Sequence, residues 1–549
     1  MRTDYKTHAA KRSRERSPKA SGHAARGTRE FTRKARAAER RAARRKTRAR
    51  IATRTQARPL LELSRSALAR IPTAARVCAL LAFVNAVCWS LIVPPFQSPD
   101  EPDHFAYVQL LAETGNLPSS GLEGYSREES YILHDLRQPQ VRFRPEGRPI
   151  FSLAQREVLE HDLALPLSRK GSGGTGLASS QPPLYYALES IPYDLGSSGS
   201  LLDRLELMRL LSALMGALTA LFAFLFLREA LPAVRWAWTV GGLGVALSPL
   251  LGFISGVVNP DAMLVALSTA LFYCLARAFR RGLTRRSAIV MGALIAVGFL
   301  TKLNFVGLAP GAILGLTLLA RREARTEGPR AYYRSLAPAL LIGVSPGALY
   351  ALVNALSNHP TFGILSVAVA GLTGAHSSIS GELGYIWQFF LPRLPWMHSD
   401  FGAIFTTRQI WFNDLIGLYG WSDTVFPNWV YNIALVPTGI VVALCARELI
   451  AGPAAPRERA GELVTYAAMS VGVLALVGAD GYLEFPASLA SYAEPRYLLP
   501  MVVLWGAVLA LAARGAGRRW GPVAGVAIVV LAIAHDIFSQ LQVVARYFG

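Results

Sequence analysis

The chain has 549 residues, of which 52% are hydrophobic and 17% charged, with a mean hydropathy of +0.31. So few polar residues cannot coat the three or four soluble domains that this length would otherwise suggest, and long apolar runs recur instead, as in a polytopic membrane protein. A collagen-like chain, a disulfide scaffold and a wholly disordered chain are excluded. The four cysteines, Cys78, Cys88, Cys274 and Cys445, all lie in apolar runs, so no disulfide framework braces the loops.

The net charge of +21 is concentrated at one end: residues 1–70 hold 23 Lys and Arg against 5 Asp and Glu. Stretches such as Arg40-Arg41-Ala42-Ala43-Arg44-Arg45-Lys46 lack the large apolar residues needed to bury surface. Residues 1–72 are therefore expected to form a solvated cytoplasmic arm that sets topology and lies near anionic headgroups. Nucleic acid is not an expected partner, because no aromatic residues or recognition motif interleave with the basic ones. The first apolar run is read as a retained anchor, since no cleavage pattern flanks it.

Residues 73–549 form the membrane part. Eleven runs match the ~20 helical residues needed to cross an apolar core. They lie near 74–93, 205–228, 235–255, 261–279, 287–302, 303–320, 336–356, 429–446, 463–479, 497–514 and 522–543. With the tail inside, the clusters Arg228/Arg235, Arg280–Arg286, Arg321–Arg334, Arg447–Arg459 and Arg514–Arg519 all fall on the tail side, as positive-inside statistics require. The C-terminus is then expected outside. Two large extracytoplasmic loops remain, at about 94–204 and 357–428. The first is acidic, and the second contains Trp387-Gln388-Phe389-Phe390 and Pro395-Trp396-Met397, suited to an interfacial or re-entrant helix.

The residues after the first span, Pro94-Pro95-Phe96-Gln97-Ser98-Pro99-Asp100-Glu101-Pro102-Asp103-His104-Phe105, place two adjacent carboxylates between prolines. Proline restricts its own φ and biases its predecessor, so this turn is stiff. A stiff turn suits a catalytic base; it equally suits Asp100 as the N-cap of a helix starting at Glu101. Lys302, in the polar knot Thr301-Lys302-Leu303-Asn304, either snorkels or binds phosphate. Arg496, outside the tenth span, either binds phosphate with its planar fork or pairs with Glu494. Asn259-Pro260-Asp261 reads as an N-cap, a first-turn proline and a first-turn acid. Tyr185 and Tyr186 either stack on substrate or are ordinary interfacial tyrosines, and Arg209 either reaches phosphate or anchors its helix. His535-Asp536 is unusual in an apolar run and suggests no role. P-loop, dinucleotide, HExxH and GxSxG patterns are absent.

The string Pro99-Asp100-Glu101-Pro102-Asp103-His104 resembles the GT-C superfamily of membrane glycosyltransferases, which take sugars from polyprenyl phosphate carriers, and within it a poorly characterised bacterial branch. Further matches are Gln181-Pro182-Pro183-Leu184-Tyr185-Tyr186, Arg209-Leu210-Leu211-Ser212-Ala213, Asn259-Pro260-Asp261-Ala262, Thr301-Lys302, Gly420-Trp421-Ser422-Asp423 and Pro495-Arg496-Tyr497-Leu498-Leu499-Pro500, together spanning roughly 75–545.

The resemblance implies an all-α, GT-C-like polytopic enzyme of about eleven transmembrane helices in the inner (plasma) membrane, with its site on the extracytoplasmic face. It implies Asp100 as general base and Glu101 as a second catalytic residue that orients the acceptor, holds Asp100 or, in branches that use one, helps to bind a divalent cation. No metal is assigned. His104, Tyr185, Tyr186, Arg209, Asp261, Lys302, Arg496 and Tyr497 complete the expected substrate site. The partners are a polyprenyl phosphate sugar and membrane lipids. The alternatives are a flippase or transporter of lipid-linked sugars and a non-catalytic scaffold.

Overall fold

The computed structural model describes residues 71–118, 124–149, 152–171, 173–174, 176–232, 234–356, 379–397, 408–451, 459–484 and 495–549. The basic tail and much of the second large loop lie outside the described residues. So does Glu494, the expected partner of Arg496.

All eleven apolar runs are helical. Among the described residues, eight helices are long and apolar enough to cross a membrane: α1 (Thr73–Ile92), α6 (Leu201–Ala230), α9 (Pro260–Arg281), α12 (Pro329–Leu356), α14 (Asn428–Ala451), α15 (Ala460–Glu484), the Pro495–Gly515 element ending in α16 (Val502–Gly515), and α17 (Gly517–Phe548). A ninth span forms if α7 (Arg235–Ala246) and α8 (Pro249–Ser255) count as one, bent by 54°. The runs at 287–302 and 303–320 become the 17-residue α10 (Arg285–Thr301) and the 19-residue α11 (Ala309–Glu327), whose last two turns are polar. Neither meets the length and apolarity of a full span by itself.

Local sequence sets the helix ends. Ser200 and Asp203 form a capping box at the start of α6, as Thr284 and Ser287 do for α10. The Asn259 side chain accepts the Asp261 N–H ahead of Pro260, the expected N-cap. Gly115 ends α2 (Glu101–Thr114) at φ 72°, a left-handed cap. The α7–α8 bend falls at Leu247-Ser248, immediately before Pro249, where a continuous helix would lose a donor.

α6 packs along α1 and α9, α10 along α12, and α16 between α7 and α14. Small residues allow the closest approaches: a Cβ at Gly241 would lie 2.3 Å from the Gly506 carbonyl oxygen, and one at Gly472 2.1 Å from that of Gly307. The helix directions gather the arginine-rich turns at one end of the bundle and the breaks after α1, α8, α10 and before α16 at the other.

The first large loop is itself helical: α2, α3 (Arg127–Asp135), α4 (Leu153–Leu163) and α5 (Leu184–Leu195). It buries a core of its own, with Phe96, Phe105, Tyr107, Ile132, Tyr185 and Tyr193 packed on the first turns of α6 and α9. In the second loop, α13 (Ile379–Phe390) packs on α15 with Tyr385 and Phe389 buried. The strand pair β1 (Leu418–Tyr419) and β2 (Thr424–Val425) forms an antiparallel hairpin over Gly420–Asp423.

Candidate active site

The turn between α1 and α2 is tight. The Gln97 N–H donates to the Pro94 carbonyl, and the Glu101 N–H to that of Ser98. Both Phe96 (φ 62°) and Asp100 (φ 63°) sit in the left-handed region, which side-chain-bearing residues seldom adopt. Such conformations cost about 1–3 kcal/mol each and persist only where the surroundings over-determine them.

The surroundings here begin with Glu101, whose carboxylate is fully buried. Arg209 of α6, also fully buried, binds it in two places: Nε to Oε1 at 2.8 Å and Nη2 to Oε2 at 2.7 Å. Arg209 also donates to the carbonyls of Ser90, Val93 and Pro94. Glu101 in turn accepts the N–H groups of Phe96 and Val258, each at 3.0 Å. One ion pair thus ties the end of α1, the start of α2, the middle of α6 and the exit of α8. All its hydrogen-bonding capacity is used within the protein, so neither partner faces a substrate space.

Asp100 occupies the N-cap position of α2, yet its side chain makes no capping bond. It turns the other way, and its Oδ2 accepts from Arg496 Nη2 at 3.0 Å. Arg496 comes from a 3-10 turn (Pro495–Met501) that precedes α16, 396 positions along the chain. Asp100 is 45% exposed in side-chain terms although protein surrounds it closely, the signature of a cleft wall. Burial by itself favours the neutral acid; Arg496, helped by Lys302, outweighs it and holds Asp100 below the usual carboxylate range.

A second pair lies beside the first. Lys302, at the extended residue between α10 and the 3-10 turn Leu303–Gly307, donates to Asp261 Oδ1 at 2.7 Å. Tyr497 joins the two pairs: Lys302 Nζ lies 5.3 Å, and the Arg496 guanidinium carbon 5.4 Å, from its ring centroid. Asp261 Oδ2 is buried with no hydrogen-bond partner. His104, one turn into α2, bonds the Tyr186 hydroxyl through Nδ1 at 3.0 Å. Burial pushes His104 down to about 3; Asp100 opposes the shift, and Lys302 and Arg496 reinforce it. The ring is therefore neutral at physiological pH.

Asp100, His104, Asp261, Lys302, Arg496 and Tyr497 thus converge from four separate stretches of sequence. Glu101 and Arg209 lie beneath them as a clamp. Tyr186 stacks on Tyr107 at 3.7 Å and supports His104 from behind, while Tyr185 bonds Ser212 at 2.9 Å; both tyrosines are fully buried, with no ring face left for a sugar. Gln181, quoted with its motif but given no role, accepts the Leu303 N–H at 3.4 Å and so ties the first loop to the Lys302 break. Nothing in a linear reading distinguishes that contact. Among the described residues, no group of three or more His, Cys, Asp or Glu could hold a metal ion.

A recess beside the Asp100–Arg496 pair is lined by Pro99, Leu250, Phe253, Ser422 and Arg496. Leu250 also lines a groove of about 910 Å³ between α7, α14, α16 and α17, whose walls include Leu498, Leu499, Trp429, Trp505 and Phe538. A long apolar chain fits such a lining, and its head would lie at the Arg496 turn.

In its fold the chain is similar to solved membrane proteins. One is ArnT from Cupriavidus metallidurans bound to undecaprenyl phosphate, with 12% identity and a TM-score of 0.43 over 85% of this chain and 75% of that one. Another is the Archaeoglobus fulgidus oligosaccharyltransferase tethered with an acceptor peptide, with 12% identity and a TM-score of 0.40 over 86% of this chain and 55% of that one. At these values neither likeness transfers a residue role. No protein of curated function matches the sequence. A family described as a predicted membrane protein (DUF2142) matches residues 83–505, and the chain belongs to that family.

Proposed function

We propose that this protein is an integral membrane glycosyltransferase that moves a sugar from a polyprenyl phosphate carrier to an acceptor hydroxyl at the extracytoplasmic face of the inner (plasma) membrane. The observation that carries the reading is the half-open Asp100–Arg496 pair, set beside Lys302 and Tyr497 and next to a recess that shares its Leu250 wall with an apolar groove. The arginine-rich loops at the opposite end of the bundle support this orientation. The first-loop motif and its companions supply the superfamily resemblance.

In this reading the prenyl chain lies in the groove, and each buried CH₂ contributes about 0.8 kcal/mol. The phosphate meets Arg496 and Lys302, which at rest are neutralised by Asp100 and Asp261. Drawing Arg496 toward phosphate weakens its hold on Asp100, so the carboxylate becomes more basic as the donor binds. Asp100 then takes the acceptor's hydroxyl proton as its oxygen attacks the anomeric carbon. The bond from that carbon to the phosphate oxygen breaks, and its electron pair leaves on the phosphate, where the two cations balance it. Glu101 and Arg209 act by holding the turn, not by touching substrate.

The test is a transfer assay on purified protein with a panel of polyprenyl phosphate sugars. Wild type should transfer at least one sugar and Asp100→Asn should not, at equal expression. Movement of intact lipid-linked sugar across vesicles, with no glycosidic bond formed, would instead make the protein a flippase.

A further inference from the structure

The turn that presents Asp100 is gripped from a second side, by residues that neither the clamp nor the cleft uses. The Trp421 indole N–H donates to the Phe96 carbonyl at 3.1 Å, and the Tyr547 hydroxyl donates to the Gln97 carbonyl at 3.4 Å. Phe96 is one of the two left-handed residues of the turn, and Gln97 follows it. Both donors are almost fully buried.

Each donor is itself braced. The Arg142 guanidinium carbon lies 4.1 Å from the Trp421 ring centroid, and Phe143 packs edge-on against the same ring at 5.7 Å. Arg546, beside Tyr547, donates to Asp423 Oδ2 at 3.3 Å and to the carbonyls of Arg144 and Gly147. A Cβ at Gly420 would lie 2.6 Å from the Tyr547 hydroxyl, so the hairpin and the helix end meet without space to spare.

α17 reaches this place through a polar stripe on one helical face. His535 bonds the Ile416 carbonyl at 2.7 Å, Asp536 accepts from the Trp89 indole at 3.2 Å, and Ser539 bonds Tyr419 at 2.9 Å. Gln540 donates to Asn85 at 2.9 Å. Steps of three and four residues keep these groups, with Val543, Arg546 and Tyr547, on one side of the helix. Polar groups in an apolar segment are costly unless paired, and each pairing here fixes α17 against α1, the β1–β2 hairpin or the helical turn that leads into it.

We propose that Trp421 and Tyr547 are positioning residues, with α17 as a strut that registers the Phe96–Asp100 turn and thereby sets the reach of Asp100. This rests on the transferase reading for its catalytic consequence only. Without the two donors, Phe96 and Asp100 relax from the left-handed region, and Asp100 leaves Arg496.

The test uses the full chain in nanodiscs, with Trp421→Phe and Tyr547→Phe, each of which removes one donor and keeps an aromatic ring. Amide hydrogen exchange over 94–104 should rise by on the order of tenfold while α6 is unchanged. Transfer should lose kcat by on the order of 10- to 100-fold with donor KM unchanged. The acid limb of kcat/KM should move up toward the ordinary carboxylate value as Arg496 releases Asp100. A control, Glu229→Gln, removes the buried partner of Arg280 and Arg281 at the far end of the bundle. It should lower thermal stability without moving either readout. Wild-type exchange and kcat in both variants would overturn the proposal. Should Trp421→Phe fail to accumulate, Tyr547→Phe, which removes a single oxygen, carries the test. Raised exchange with no transfer by wild type on any donor would overturn the transferase reading and leave the positioning of the turn standing.

Discussion

Asp100 and Glu101 are neighbours in sequence, and each meets an arginine, yet the two pairs are opposites. Glu101–Arg209 is sealed, with every oxygen and every guanidinium proton paired by backbone or by each other. Asp100–Arg496 is a single contact on a cleft wall, with 45% of the Asp100 side chain open. A sealed pair holds parts together, whereas an open one can exchange partners. The proposed chemistry needs the second, and the first helps to fix the turn that presents it.

The contrast can be broken most severely at Arg209. Arg209→Leu leaves Glu101 buried and unpaired, at a cost of about 3–5 kcal/mol; thermal unfolding in detergent should show it, and little folded protein should accumulate. Asp100→Asn should leave the melting temperature almost unmoved and lower transfer by about 10²–10⁴-fold, the usual worth of a general base. A fully active Asp100→Asn variant would remove its assigned role.

Arg496→Lys keeps the charge and loses the planar fork, so donor binding should weaken more than kcat falls. The same exchange of partners predicts a split in the pH profile. kcat/KM reports the free enzyme, in which Arg496 holds Asp100 low, so its acid limb should lie below that of kcat, which reports the donor-bound state. Coincident limbs would mean that Arg496 never lets go.

The smallest effect concerns His104. An unfolded histidine takes up a proton near pH 6.5, folded His104 only near pH 3. Between these values the unfolded state binds more protons, so stability falls as pH drops through this window. His104→Asn should flatten that part of the stability–pH curve, measured by thermal unfolding across the window.

The helical membrane class was legible from apolar runs alone, because a segment crossing lipid must satisfy its own backbone and so advertises itself by length and hydropathy. Capping was legible too: Asn259-Pro260-Asp261 begins its helix as its residue types require. Hydropathy gave less about where helices stop: α10 ends after 17 residues at the Lys302 break, and α11 continues into a polar turn. At Asp100, residue type suggested a cap, but the partner across the cleft, not the local chain, decides where the carboxylate points. His535 and Asp536 suggested nothing, because their partners, Ile416 and Trp89, lie more than a hundred positions away.

By itself, then, the sequence determined which apolar segments are helical, which end of the bundle is basic and which polar residues cluster at helix breaks, since these depend on neighbours within a few turns. Tertiary structure alone decided that Glu101 would be spent on Arg209 and Asp100 kept for Arg496. That choice depends on which distant backbone carbonyls and cations surround each carboxylate, and burial then makes one pair permanent while exposure leaves the other free to exchange.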